Sequence, residues 1–214
     1  MLELTNIGVK RGGRKIVSGL SFSLAPGQML CLNGPSGIGK TTVLEIAAGL
    51  LKPDQGQRRF WDGRLAYAFQ DDALIPWRTV SQNLEFVLDT RKDAAGTKWH
   101  IAKWLRRLGL DNEARKYPAE ISGGMQRRLN LARAFSLEPD LLILDEPFAF
   151  LDERWLQQIT LYLSEAMARG AAVLLASHQM EPLAGLDYRR LEIENQGKQP
   201  SECDLAENCC GSFA

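Results

Sequence analysis

Gly34-Pro35-Ser36-Gly37-Ile38-Gly39-Lys40-Thr41 is the stretch of this chain whose residue types and spacing most directly specify chemistry. It follows a continuous apolar run, Met29-Leu30-Cys31-Leu32, and leads into residues where Val43, Ala47 and Leu50 fall on one helical face. A glycine-rich turn between a buried strand and a helix lets successive backbone N–H groups, together with the positive end of the helix dipole, converge on phosphate oxygens. Lys40 would add a point charge at the β- and γ-phosphates, and Thr41 a hydroxyl for Mg2+. The flanking strand and helix separate such a loop from a chance run of glycines.

A second apolar run, Leu141-Leu142-Ile143-Leu144, ends in Asp145-Glu146-Pro147. Ligands of open α/β sheets bind at the carboxyl ends of the strands, so both carboxylates are expected beside the phosphate loop. Asp145 would hold Mg2+ through water. Glu146, one residue on and so expected on the other side of the strand, could polarise a water for in-line attack on the γ-phosphate. The two motifs together indicate a nucleotide hydrolase with a phosphate-binding loop.

A third element narrows the reading. Tyr117-Pro118-Ala119-Glu120-Ile121-Ser122-Gly123-Gly124-Met125 resembles the signature motif of the ATP-binding subunits of ABC transporters, with Met125 where the familiar version has Gln. The motif order also agrees: phosphate loop, Gln70, signature, Asp145-Glu146, Leu151-Asp152 and His178, a resemblance that covers about residues 1 to 198. It implies ATP as nucleotide and Mg2+ as cofactor, with Thr42 added to the nucleotide contacts of residues 34 to 41. It also implies that Gln70 touches Mg2+ or the attacking water and that His178 acts with Glu146 at the γ-phosphate. Ser122, Gly123 and Gly124 open a helix and form a second anion site, which has no second nucleotide to serve within one chain. In the family that site closes on the nucleotide of a second copy, which makes the working unit a homodimer.

The elements that position these residues imply an α/β fold. The resemblance makes it a RecA-like parallel-sheet core with an antiparallel β subdomain and an inserted helical lobe. The alternation in Leu2-Glu3-Leu4 and Phe22-Ser23-Leu24 predicts half-exposed antiparallel strands, whereas the runs at 29–32, 141–144 and Ala172-Val173-Leu174-Leu175 predict parallel strands buried on both faces. Between about residues 71 and 124 the period changes. Thr79 with Gln82 reads as a capping box before Val80, Leu84, Val87 and Leu88, residues 89–97 read as a loop, and Ile101, Trp104, Leu105 and Leu108 repeat at helical spacing. The expected division is therefore a core of residues 1–70 and 125–198, a helical lobe of 71–124, and a mobile tail of 199–214. His100 is placed on a helix surface and assigned no role.

Composition bounds the rest. The chain has 214 residues, of which 45% are hydrophobic, enough apolar material for one folded unit. Lys plus Arg number 26 and Asp plus Glu number 26, so no net charge argues for binding nucleic acid. No apolar run approaches the roughly 20 residues that span a bilayer, and no export signal opens the chain, which predicts a cytoplasmic protein. Cys203, Cys209 and Cys210 lie in the tail, as a reduced cluster or as three ligands of a metal site lacking a nearby fourth.

The resemblance then predicts the ATPase subunit of a bacterial importer, peripheral on the cytoplasmic face of the inner membrane. Its partners would be a second copy of itself, membrane permease subunits and a solute-binding protein. Leu74-Ile75-Pro76-Trp77-Arg78-Thr79-Val80 and Ser122-Gly123-Gly124-Met125 are most similar to the nitrate, taurine and aliphatic sulfonate branch, which points to a small anion as cargo. In the family the region after Gln70 receives the coupling helix of the membrane subunit; Leu74 and Ile75 there fit either that surface or a lobe core. Two departures accompany the match: Arg11 stands where an aromatic residue usually stacks on adenine, and Phe150 where a small residue is common at the dimer seam. A soluble non-transport ABC ATPase and a degenerate nucleotide-binding regulator are the alternatives.

Overall fold

The computed structural model describes residues 2–12, 14–61, 63–88, 94–193 and 202–203, and every structural statement concerns these. In chain order the elements are β1 (Leu2–Arg11), β2 (Arg14–Leu24), β3 (Met29–Asn33), α1 (Lys40–Ala48), β4 (Gln55–Phe60), β5 (Leu65–Ala68), α2 (Val80–Val87), α3 (Ala94–Arg107), α4 (Gly123–Ser136), β6 (Leu141–Asp145), α5 (Glu153–Ala168), β7 (Ala172–Ala176), β8 (Arg189–Glu192) and β9 (Glu202–Cys203).

The two kinds of strand pattern sort into two sheets. The alternating segments form an antiparallel sheet in the order β2-β1-β4, with Leu2 opposite Leu24 and Leu4 opposite Phe22, all four buried. The continuous runs become β3, β6 and β7 of a six-stranded sheet in the order β5-β6-β7-β3-β8-β9, in which all pairs but β8 with β9 are parallel. Every residue of β6 and β7 is buried because both faces are covered.

Strand period divides the core into two clusters. Leu30, Leu32, Leu141, Ile143 and Leu174 pack with Val43, Leu44 and Ala47 of α1 and with Leu2, Leu4 and Ile7 of the antiparallel sheet. Cys31, Leu142, Leu144, Val173 and Leu175 face the other way, onto Val80 and Leu84 of α2, Trp104 of α3, Leu129 of α4 and Leu163 of α5. Each such side chain contributes about 1.5–3 kcal/mol by leaving water, so the segment expected as an inserted lobe shares a core with the sheet. Trp104 stacks on Phe135 with ring centroids 6.0 Å apart and meets the edge of Tyr162 at 5.8 Å, joining α3, α4 and α5. The Tyr162 hydroxyl donates to Arg107 O at 2.6 Å.

Several expectations are corrected. Helix α3 begins at Ala94, so residues 94–97 are helical rather than loop; 89–93 lie outside the described residues. Leu50 does not share the α1 face: Gly49, with φ of 81°, closes the helix after Ala48 and leaves Leu50 62% exposed. His100 is buried, only 5% exposed, with its Nε2 2.8 Å from Ser136 O at the end of α4. Helical spacing locates a face but not whether a neighbouring helix end covers it. Of the segment 199–214, residues 202–203 form β9, where Glu202 pairs with Leu191 and Cys203 with Arg190; the rest, with Cys209 and Cys210 and the expectation of a mobile tail, lies outside the described residues. The capping box of α2 forms as expected, with Thr79 Oγ1 accepting from Gln82 N at 3.3 Å and Gln82 Oε1 from Thr79 N at 2.9 Å.

Candidate functional site

The carboxyl ends of β3, β5, β6 and β7 converge, as the switch point of a parallel sheet requires. After β3 the chain makes the loop 34–39. Gly34 and Gly39 take φ of 150° and 114°, and a Cβ on them would lie 2.7 Å from Ile193 O and 2.8 Å from a methyl of Ile16. Only glycine fits both places. Gly39 is the N-cap of α1 and carries no capping side chain, so the first N–H groups of α1 are left for an anion. Ile38 turns its side chain into the core beneath the loop.

Lys40 curls over the loop, its Nζ donating to Gly34 O at 2.7 Å and Pro35 O at 3.2 Å, and lies 4.0 Å from Glu146 Oε1. The Thr41 hydroxyl donates to Asp145 Oδ2 at 2.7 Å. Burial pushes the Asp145 carboxyl above its ordinary range, against the Thr41 hydrogen bond, which pulls it down. Thr41 and Asp145 thus bring hard oxygen donors together at a buried charge, with Gln70 on the same cleft. That donor set fits Mg2+, which takes few protein ligands and keeps water and phosphate oxygens as the rest.

Glu146 lies just beyond the end of β6 and adopts φ of 48°, the left-handed region, at a cost of about 1–3 kcal/mol for a residue with a side chain. The turn corrects the expectation that Glu146 faces away from Asp145. Its Oε2 accepts from His178 N at 3.3 Å and lies 2.8 Å from His178 Nδ1. Its own N–H donates to Ala176 O at 2.9 Å, tying the turn to the end of β7. Glu146 and His178 therefore meet across adjacent strand ends.

A cleft of about 400 Å3 is lined by Arg11, Ile16, Ser36, Gly37, Gly39, Lys40, Thr41, Thr42, Gln70, Asp145 and Glu146. Of the site residues expected from the sequence, Gly34, Pro35 and Ile38 of the loop, His178, and Ser122, Gly123 and Gly124 are not among its lining residues. Ser122 caps α4, its Oγ accepting from Met125 N at 3.3 Å, and Gly124 packs where a Cβ would lie 3.0 Å from Phe150 O. Phe150 itself is 83% exposed at φ of 62°. Trp77 is 76% exposed, whereas Leu74 packs against the core.

Sequence reasoning missed the polar framework behind the cleft. Arg127 of α4 is 1% exposed, and its Nη1 donates to Phe69 O at 2.7 Å, Gln70 O at 3.3 Å and Asp72 Oδ1 at 3.2 Å. Its Nη2 donates to Asp145 O at 2.5 Å and Glu146 O at 2.6 Å. Asn130 Nδ2 donates to Phe69 O at 2.9 Å and Arg133 Nη1 to Ala73 O at 2.8 Å, so three α4 side chains hold the stretch after β5. Buried Asn83 does the same from α2, donating to the carbonyls of Ile75, Arg78 and Thr79. The available signal is weak: Arg127 sits one turn past Gly123, but a buried arginine is recognisable only once the carbonyls it satisfies are in place.

The ABC transporter family model matches residues 17–149, more than half of the chain. The chain is 38% identical over 195 residues to the aliphatic sulfonates import ATP-binding protein of Mycobacterium avium, covering 90% of this chain and 77% of that one. It is 37% identical to the protein of the same name from Granulibacter bethesdensis, covering 91% and 80%. To the sulfate/thiosulfate import ATP-binding protein of Escherichia coli it is 38% identical, over 74% of this chain and 49% of that one. Among solved structures it is similar to an ATP-binding subunit of an ABC transporter, with a TM-score of 0.84 at 26% identity over 96% and 90% of the two chains. The fold also matches a dimeric ATP-binding cassette in a post-hydrolysis state with ADP and Pi, with a TM-score of 0.84 at 23% identity over 94% and 98%.

Proposed function

The chain belongs to the ABC transporter family as one of its ATP-hydrolysing cassettes, and from that premise we propose that it powers import of a small anion, a sulfonate or sulfate. It would do so as a pair bound to permease subunits on the cytoplasmic face of the inner membrane, with a solute-binding protein delivering the anion. One observation carries this reading: the likeness to sulfonate importers runs over nine tenths of the chain, with Lys40, Asp145 and Glu146 lining one cleft and His178 bonded to Glu146 beside it. That geometry also speaks against a degenerate regulator. No helix among the described residues is long and apolar enough to cross a membrane.

The phosphate loop and the α1 N-terminus bind the phosphates, and Lys40 exchanges its loop carbonyls for phosphate oxygens. Thr41, Asp145 and Gln70 would hold Mg2+, which supplies charge neutralisation at the phosphates when bound. Glu146 takes the proton of the attacking water, and His178 orients its carboxylate. Ser122, Gly123 and Gly124, beside exposed Phe150 and away from the cleft, serve the nucleotide of the second copy.

Deleting the gene for this chain should abolish growth on an aliphatic sulfonate or on sulfate as sole sulfur source and leave growth on cysteine intact. Equal growth on all three sources overturns the cargo.

Arg11 and Ile16 line the same cleft, and in this reading Arg11 contacts the base. A guanidinium plane stacks on any purine, so the purified chain should hydrolyse ATP and GTP with kcat/KM values within roughly tenfold of each other. A larger preference for ATP in that assay would assign the base contact to another residue.

A further inference from the structure

We propose that Arg127 is a positioning residue for hydrolysis, one buried guanidinium that holds the backbone of Glu146 in its left-handed turn and the backbone of Gln70 at the cleft. The inference rests on the reading of Glu146 as the group that activates water. Nη2 donates to the carbonyls of Asp145 and Glu146, which belong to the two peptide units on either side of the Glu146 α-carbon. Rotation of Glu146 out of φ 48° turns these units relative to each other, so it breaks at least one of the two bonds. A strained conformation persists only where its surroundings over-determine it, and here Arg127 and the bond from Glu146 N to Ala176 O do so together.

The other nitrogen works on the loop after β5. Nη1 donates to Phe69 O and Gln70 O, and the Asp72 carboxylate balances the buried charge. Both sides of the cleft that face the attacking water are therefore referenced to the same planar group. Arg127 does not line the cleft and has no contact with the phosphate loop among its described hydrogen bonds, so it acts on hydrolysis and leaves nucleotide binding alone. A lysine has a single ammonium and lacks the fork that spans the two sets of carbonyls.

Arg127→Lys and Arg127→Met, each made alone and together with Glu146→Gln, test this. ATP turnover is followed at saturating nucleotide, Kd is measured with a fluorescent ATP analogue, and thermal melts report folding. Either substitution alone is expected to lower kcat at least about tenfold while Kd stays within about threefold. Added to Glu146→Gln, either should lower the residual rate by a much smaller factor than it does alone, because one of the two groups that it positions is already gone and only Gln70 remains. The inference is overturned if kcat of both variants stays within about twofold of the wild-type value, if the same factor is lost in the Glu146→Gln background, or if Kd weakens in step with kcat. It is overturned in favour of a purely structural role if neither variant folds. Near-wild-type turnover of Glu146→Gln by itself removes the underlying reading, whereas a slow Glu146→Gln beside a fast Arg127→Lys overturns this inference alone.

Discussion

Glu146→Gln is expected to bind ATP as well as the unaltered chain or better and to hydrolyse it at least about a hundredfold more slowly, a loss of about 2.7 kcal/mol of transition-state stabilisation. The amide keeps the shape of the side chain, and its oxygen can still accept from the His178 backbone N–H. What it loses is the basicity needed to take a proton from water. It also removes a negative charge 4.0 Å from Lys40 Nζ, which favours the anionic nucleotide. Equilibrium binding and single-turnover hydrolysis on the same preparation separate the two effects. Near-wild-type turnover would move the role of base to another group. Lys40→Ala, measured beside it, should weaken binding itself.

Mixing two inactive chains should partly restore ATPase activity when one carries Lys40→Ala and the other Ser122→Arg. Lys40 lies in the cleft and Ser122 caps α4 outside it, the separation expected if the second anion site serves the nucleotide of another copy. In the mixed dimer both lesions then fall in one shared site and the other site is intact. If each site were complete within one chain, every site would carry one lesion and mixing would restore nothing. Strong coupling between sites also suppresses recovery, so the mixture is read beside light scattering of Glu146→Gln with ATP, where a dimer should persist. A monomer in that experiment together with no recovery on mixing overturns the shared site.

The parts of this protein that depend on short-range pattern were legible in the sequence. The buried strands β3, β6 and β7 announce themselves as unbroken apolar runs because both their faces are covered. The phosphate loop announces itself because Gly34 and Gly39 leave no room for a Cβ. The capping box of α2 is a contact over three residues, and it forms as written. Once strand ends are located, Asp145 and His178 follow from the rule that parallel sheets bind ligands at their carboxyl edges.

Tertiary structure decided what depends on partners far along the chain. Period two puts Glu146 on the face opposite Asp145, yet it turns back beside Asp145 because Ala176 and Arg127 hold its backbone from 30 residues later and 19 earlier. His100 obeys the local helical pattern yet is buried because the end of α4 at Ser136 lies opposite it, whereas Leu50 falls past the helix end at Gly49 and faces solvent. Arg127 reads as an ordinary charged residue of an amphipathic helix. Its function arises from carbonyls of two other segments that have no identity in sequence, since every residue carries the same carbonyl and only the fold selects which ones a buried guanidinium must satisfy.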